Sequence, residues 1–191
     1  MRNLSSLLGA SALAFCCATT ALAGDKAMIV MDASGSMWGQ IDGKTKIEIA
    51  RETLGDVLQS LPQDLELGLM AYGHREKGQC SDIQTIVAPG PNTARVIGAA
   101  VNKLNPKGKT PLAEAVTMAA ERLRYTEDKA TVILITDGLE TCDADPCAVA
   151  NSLEQNGIDF TAHVVGFGLS KEEGQQVACI AQNTGGIYKE A

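Results

Sequence analysis

The chain has 191 residues, with 16 Lys and Arg against 23 Asp and Glu and a formal net charge of −7. An acidic balance of this size argues against a nucleic-acid backbone or an anionic lipid surface as partner. The length suits one domain behind a short leader.

The leader comes first. Arg2 supplies a positive start, Leu4 to Cys17 is largely apolar, and Ala21-Leu22-Ala23 offers a small-x-small cleavage signal before Gly24. This reads as a secretory signal peptide over 1–23, too short for a comfortable membrane span. An uncleaved amphipathic tail is the alternative. A lipoprotein reading on Cys16 is weakened by the bulky Phe15 before it. The mature domain would be 24–191, exported to a periplasmic or extracellular space.

Strand-like apolar runs then alternate with helical patterns. Ala27–Met31 is the first strand; Lys46–Leu61 carries Ile47, Ala50, Leu54, Val57, Leu58 and Leu61 at helical spacing, and Pro62 closes it. Leu65–Tyr72 is the second strand, and Ile83–Val87 a short edge strand that returns as a hairpin. Thr93–Leu104 and Pro111–Arg124 are helices around an Asn105–Thr110 loop, with Pro111 suited to a first helical position. Thr131–Thr136 is a β-branched buried strand. Asp145-Pro146 opens a helix that Gly157 ends. Phe160–Gly166 is a strand, Lys171–Asn183 a helix, and Gly186–Lys189 a last short strand.

Continuous apolar strands joined by helices imply an α/β fold, a doubly wound and mostly parallel sheet with helices on both faces. Such sheets bind ligands beyond the carboxyl ends of their strands, where the strand order reverses.

Two of three short segments stand at such ends. Asp32-Ala33-Ser34-Gly35-Ser36 follows the first strand, Thr110 lies in a loop before a helix, and Asp137-Gly138 follows Val132-Ile133-Leu134-Ile135-Thr136. Together they read as one metal site. Asp32 and Asp137 supply charge, directly or through water, and Ser34, Ser36 and Thr110 supply hydroxyls. These hard oxygen donors suit Mg²⁺, or Mn²⁺ or Ca²⁺, better than zinc or copper. Five protein groups leave a position for water or an outside ligand, so a partner's Asp or Glu can complete the shell.

This order of motifs resembles the metal-ion-dependent adhesion site of von Willebrand factor type A domains, and the resemblance runs through nearly all of Lys26–Lys189. Trp38-Gly39 and Tyr72-Gly73-His74-Arg75 make it similar in particular to bacterial exported single-domain proteins of that family. The resemblance implies a six-stranded sheet ordered 3-2-1-4-5-6, metal-dependent binding of a protein ligand, and metal roles for Asp32, Ser34, Ser36, Thr110 and Asp137. Many family members continue past the last strand into a helix that moves when ligand binds. This sequence stops at Ala191, so a site of nearly fixed geometry is expected.

Other residues invite weaker readings. Trp38 suits a binding anchor on the metal rim or a cover for the core. His74 and Arg75 fit a structural loop better than a ligand contact, and Glu140 a helix-side or solvent role better than ligation. Four cysteines remain after the leader: Cys80, Cys142, Cys147 and Cys179. In an exported chain they imply two disulfides of three possible connectivities. Chain proximity favours Cys142–Cys147, leaving Cys80 for Cys179; a zinc site lacks any C-x-x-C pair.

Rival functions fare poorly. A phosphatase of the haloacid dehalogenase type would want an acid two residues after its Asp, where Ser34 stands. A P-loop ending at Gly108-Lys109-Thr110 would need glycine at Lys103 and a strand before it. A hydrolytic serine lacks a placed histidine. The expectation is a non-enzymatic, metal-dependent binding domain. A metal-independent interaction domain of the envelope is the main competitor.

Overall fold

The computed structural model describes residues 25–62 and 64–191; the leader at 1–23 lies outside the described residues. In chain order the elements are β1 (Lys26–Asp32), a 3₁₀ turn (Gly35–Trp38), β2 (Gln40–Ile41), β3 (Lys44–Thr45), α1 (Lys46–Ser60), β4 (Glu66–Tyr72), β5 (Ile83–Gly90) and α2 (Ala94–Val101). There follow α3 (Leu112–Arg122), β6 (Ala130–Thr136), α4 (Pro146–Asn156), β7 (Phe160–Gly166), α5 (Lys171–Asn183) and β8 (Tyr188–Glu190).

Six strands form one sheet in the order β5-β4-β1-β6-β7-β8, with β2 and β3 as a separate small hairpin. Counted without that hairpin, the order is the expected 3-2-1-4-5-6. Every pairing in the sheet is parallel except β4 with β5. The order reverses between β1 and β6, where Met31 faces Ile135 in register.

Strand alternation divides the core. Met28 and Val30 of β1 and Val132 and Leu134 of β6 point to one face, under Leu112, Val116 and Ala119 of α3, Leu153 of α4 and Val177 and Ile180 of α5. Ile29 and Met31 point to the other, under Ile47, Ala50 and Leu54 of α1 and Ile97 and Val101 of α2. Both central strands are therefore buried on both faces at their carboxyl ends.

Local chemistry sets the helix ends. Thr45 and Ser170 each close a capping box with Glu48 and Glu173. Asp145 caps α4 by accepting from the Cys147 and Ala148 amides, with Pro146 at the first position. Pro111 stands one place earlier than expected, just before α3. β5 runs three residues beyond the expected Val87, through Pro89, which an edge strand tolerates.

The cysteine pairing corrects the expectation. Cys80 bonds Cys142 across 62 residues, and Cys147 bonds Cys179 across 32. Chain proximity misled because Cys147 lies in the first turn of α4, and α4 packs beside α5, which carries Cys179. Cys142 instead lies in the loop after β6 and meets the loop after β4.

Candidate metal centre

Asp32 is the last residue of β1, wholly buried, and both its carboxylate oxygens are held. Oδ1 accepts the Ser34 amide at 2.7 Å, and Oδ2 accepts the Thr136 hydroxyl at 2.8 Å. The turn that Ser34 enters brings its Oγ to 2.9 Å from Ser36 Oγ. Ser36 Oγ in turn donates to Asp137 Oδ1 at 2.7 Å. Four of the five expected ligands thus form one hydrogen-bonded chain across the β1 and β6 ends.

Thr110 reaches the same place from a separate loop. A Cβ built on Gly138 would stand 3.7 Å from Ser36 Oγ and 4.0 Å from Thr110 Oγ1, so both hydroxyls border the space beside that glycine. The Thr110 backbone is fixed by Thr141, whose hydroxyl accepts its amide at 2.8 Å and whose amide donates to its carbonyl at 3.0 Å.

Backbone hydrogen bonds also stitch the loop that carries Thr110 to its neighbours. Gly35 N donates to Gly108 O, Lys107 N to Ala33 O and Gly73 O, and Gly108 N to Gly73 O at 2.7 Å. Gly73 has φ +68°, and a Cβ there would stand 2.7 Å from Lys109 O and 3.0 Å from Ser34 N. Gly73→Ala should therefore push apart the two loops that bring Ser34 and Thr110 together. It should destabilise by about 1–3 kcal/mol, from the unfavourable φ alone, and weaken metal binding. A denaturant melt and a metal titration on the same variant check both effects.

The electrostatics are those of a paired-carboxylate site. Burial, and then the charge of Asp137, push the Asp32 carboxyl above the ordinary carboxylate range; hydrogen bonds from Ser34 and Thr136 offset part of this. A carboxyl raised in the fold binds its proton more tightly there than in the unfolded chain. In EDTA the fold is then stabilised as pH falls below the raised value, and that contribution is lost as pH rises through it. Asp32→Asn removes the charge at nearly constant shape. It should raise Tm in EDTA at neutral pH and make the melt indifferent to Mg²⁺; a lower Tm in EDTA would mean that the hydrogen bonds to Asp32 outweigh its burial.

Three contributors escaped the sequence reading. Thr136 is buried and accepts from Tyr72 Oη at 3.2 Å while donating to Asp32. The sequence offers only a hydroxyl at the end of a strand that also holds Thr131, a pattern of ordinary strands. Tyr72 is wholly buried, and burial followed by the Asp32 charge holds its phenol well above the ordinary range. Lys46, the first residue of α1, reaches Asp137 Oδ2 with its Nζ at 3.0 Å. Nothing in the sequence pointed α1 at the site.

The weaker readings also resolve. Trp38 is 52% exposed, with its indole N–H donating to Pro106 O at 2.9 Å. It stands exposed against the Asn105–Thr110 loop and does not cover the core. Arg75 and His74 serve the β4–β5 loop: Arg75 Nε donates to buried Asp82 at 2.7 Å, and His74 Nε2 pairs with Gln84 at 3.1 Å. Glu140 accepts the Ala113 and Cys142 amides at 2.8 and 2.6 Å, a role at the start of α3.

The donor set fits a hard divalent cation. Among the described residues no three His, Cys, Asp or Glu side chains gather, so the charge comes from two carboxylates and the remaining donors are hydroxyls. That combination suits Mg²⁺, whose coordination retains waters.

The von Willebrand factor type A domain family profile matches residues 27–140, more than half of the chain. The chain belongs to the von Willebrand factor type A domain family. Two Bacillus subtilis proteins of uncharacterized function resemble it: YwmD is 30% identical over 84% of this chain and 75% of its own length, and YwmC 29% over 89% and 78%. Among solved structures, a von Willebrand factor type A protein from Catenulispora acidiphila superposes with a TM-score of 0.67 at 22% identity, covering 88% of this chain and 38% of that one. Proximal thread matrix protein 1 from mussel byssus, solved with a zinc-occupied adhesion motif, gives 0.65 at 17%, covering 88% of this chain and 42% of that one. At such identities the structural likeness speaks for the von Willebrand A fold alone. The chain spans less than half of either structural relative.

Proposed function

We propose that this von Willebrand A domain is a metal-ion-dependent protein-binding module. Asp32, Ser34, Ser36, Thr110 and Asp137 would hold Mg²⁺, and the partner would present an Asp or Glu to it. The observation that carries the reading is the continuous chain Thr136–Asp32–Ser34–Ser36–Asp137, with Thr110 brought to the same glycine from another loop. When bound there, the metal supplies an electrophile for an outside carboxylate. The protein's part is to hold the oxygens in place from two buried strand ends.

On this reading the module binds and does not act as a serine hydrolase. The two described histidines are engaged elsewhere, His74 with Gln84 and His163 with the Ile187 amide, so no imidazole serves a serine in the site. Export is part of the same reading: two disulfides suit an oxidising compartment, and no described helix is long and apolar enough to cross a membrane.

One observation favours the metal-independent reading. The Lys46 ammonium already gives Asp137 a positive partner. Calorimetric titration of EDTA-stripped protein with Mg²⁺ at neutral pH separates the two. A saturable one-to-one isotherm supports the adhesion-site reading, and heats of dilution alone support the other.

A further inference from the structure

Lys46 stands where a solvent-facing lysine gains little. It is the first residue of α1, the end of the helix macrodipole that repels a cation. Yet its side chain is only 16% exposed, and its Nζ lies 3.0 Å from Asp137, whose side chain is wholly buried.

The route to that carboxylate is built. The Lys46 amide donates to Gly39 O at 2.8 Å, anchoring the base of the side chain beside the metal loop. The stem then passes two glycines. A Cβ on Gly39 would stand 3.4 Å from Lys46 Cε; one on Gly168, which has φ +56°, would stand 3.0 Å from Cε and 3.4 Å from Nζ. Side chains at either position would crowd the stem. Glu173, an acid that feels the Lys46 charge, is occupied by the Ser170 cap.

We infer that Lys46 is a tethered cation which shares the Asp137 carboxylate with the divalent metal, and so sets the metal affinity of the site. The inference rests on the metal-site reading above. Asp137 Oδ1 takes the Ser36 hydroxyl and Oδ2 takes the ammonium. A dication drawing on that carboxylate weakens the ammonium's hold, either by replacing it or by repelling it at close range. Lys46 thereby neutralises one of two neighbouring acids in the metal-free fold. It also raises the metal concentration at which the site fills.

Lys46→Met keeps most of the stem and removes the charge. Titration of EDTA-stripped wild type and Lys46→Met with Mn²⁺, read by electron paramagnetic resonance, should show the variant binding at least about tenfold more tightly, the worth of one charge-assisted hydrogen bond. Its Tm should fall below wild type in EDTA and recover to wild type or above in saturating Mn²⁺. A lysine acting only in packing would lower Tm in both conditions alike. Equal or weaker Mn²⁺ binding by Lys46→Met would overturn the competition alone. No binding by either protein would overturn the metal reading and the competition with it. Should Lys46→Met fail to fold, the Lys46 ¹³Cε resonance of wild type decides: it should move on saturation with diamagnetic Mg²⁺, and a fixed resonance would overturn the inference.

Discussion

Asp137→Ala should abolish tight Mg²⁺ binding and leave a folded protein. Asp137 supplies one of the site's two negative charges, and its carboxylate joins Ser36 to Lys46. Removing it leaves Asp32 as the sole carboxylate, too little charge for a dication that must shed water to bind. The fold tolerates the loss for two reasons. Asp137 lies just past the end of β6, outside the ladder, and Lys46 is close enough to the surface to return its ammonium to water. Ligand linkage gives the size of the effect. Wild type at a hundredfold excess of Mg²⁺ over Kd should gain about 2.7 kcal/mol, and the variant nothing. Melts with Mg²⁺ and with EDTA read this directly. A variant that keeps the wild-type Mg²⁺ shift would remove Asp137 from the site.

The two disulfides should differ in what they protect. In the chain-entropy account, closing loops of 62 and 32 residues is worth about 4.3 and 3.7 kcal/mol, so losing either bond should lower stability by a similar amount. Their positions differ. Cys80–Cys142 ties the loop after β4 to the loop after β6, and the backbone between Asp137 and Cys142 carries Gly138, Glu140 and Thr141, which border or brace the site. Cys147–Cys179 joins the first turn of α4 to α5, and neither helix carries any of the five expected ligands. The Cys80→Ser/Cys142→Ser double variant should therefore lose metal affinity as well as stability. Cys147→Ser/Cys179→Ser should lose stability alone. Denaturant melts paired with Mg²⁺ titrations check the contrast, and equal metal affinity in the two variants would remove the bracing role of Cys80–Cys142.

The sheet was legible in the sequence because its central strands are apolar on both faces, and only a parallel, helix-covered arrangement accommodates such runs. The candidate site was legible for a related reason. Oxygen side chains following directly on buried strands have few structural uses, and two such segments, after β1 and β6, pointed to one end of the sheet; Thr110, in a loop between two helices, joined them only through the motif order of the family resemblance. Thr136 and Lys46 were not legible. One looks like the ordinary polar end of a strand, and the other like the start of an amphipathic helix. Their roles depend on where β6 and α1 are placed beside β1, which no local pattern encodes. The disulfide pairing failed for the same reason: closeness along the chain places Cys142 beside Cys147, but α4 turns Cys147 toward α5.

The central claim is that Asp32, Ser34, Ser36, Thr110 and Asp137 hold one divalent metal ion. Crystals grown in EDTA and soaked in Mn²⁺, measured for anomalous scattering, test it most directly. The account predicts a single anomalous peak bounded by Ser34 Oγ, Ser36 Oγ and Thr110 Oγ1, with Asp32 and Asp137 bound to it directly or through water. A site without a peak, or Mn²⁺ bound only elsewhere on the molecule, would contradict it.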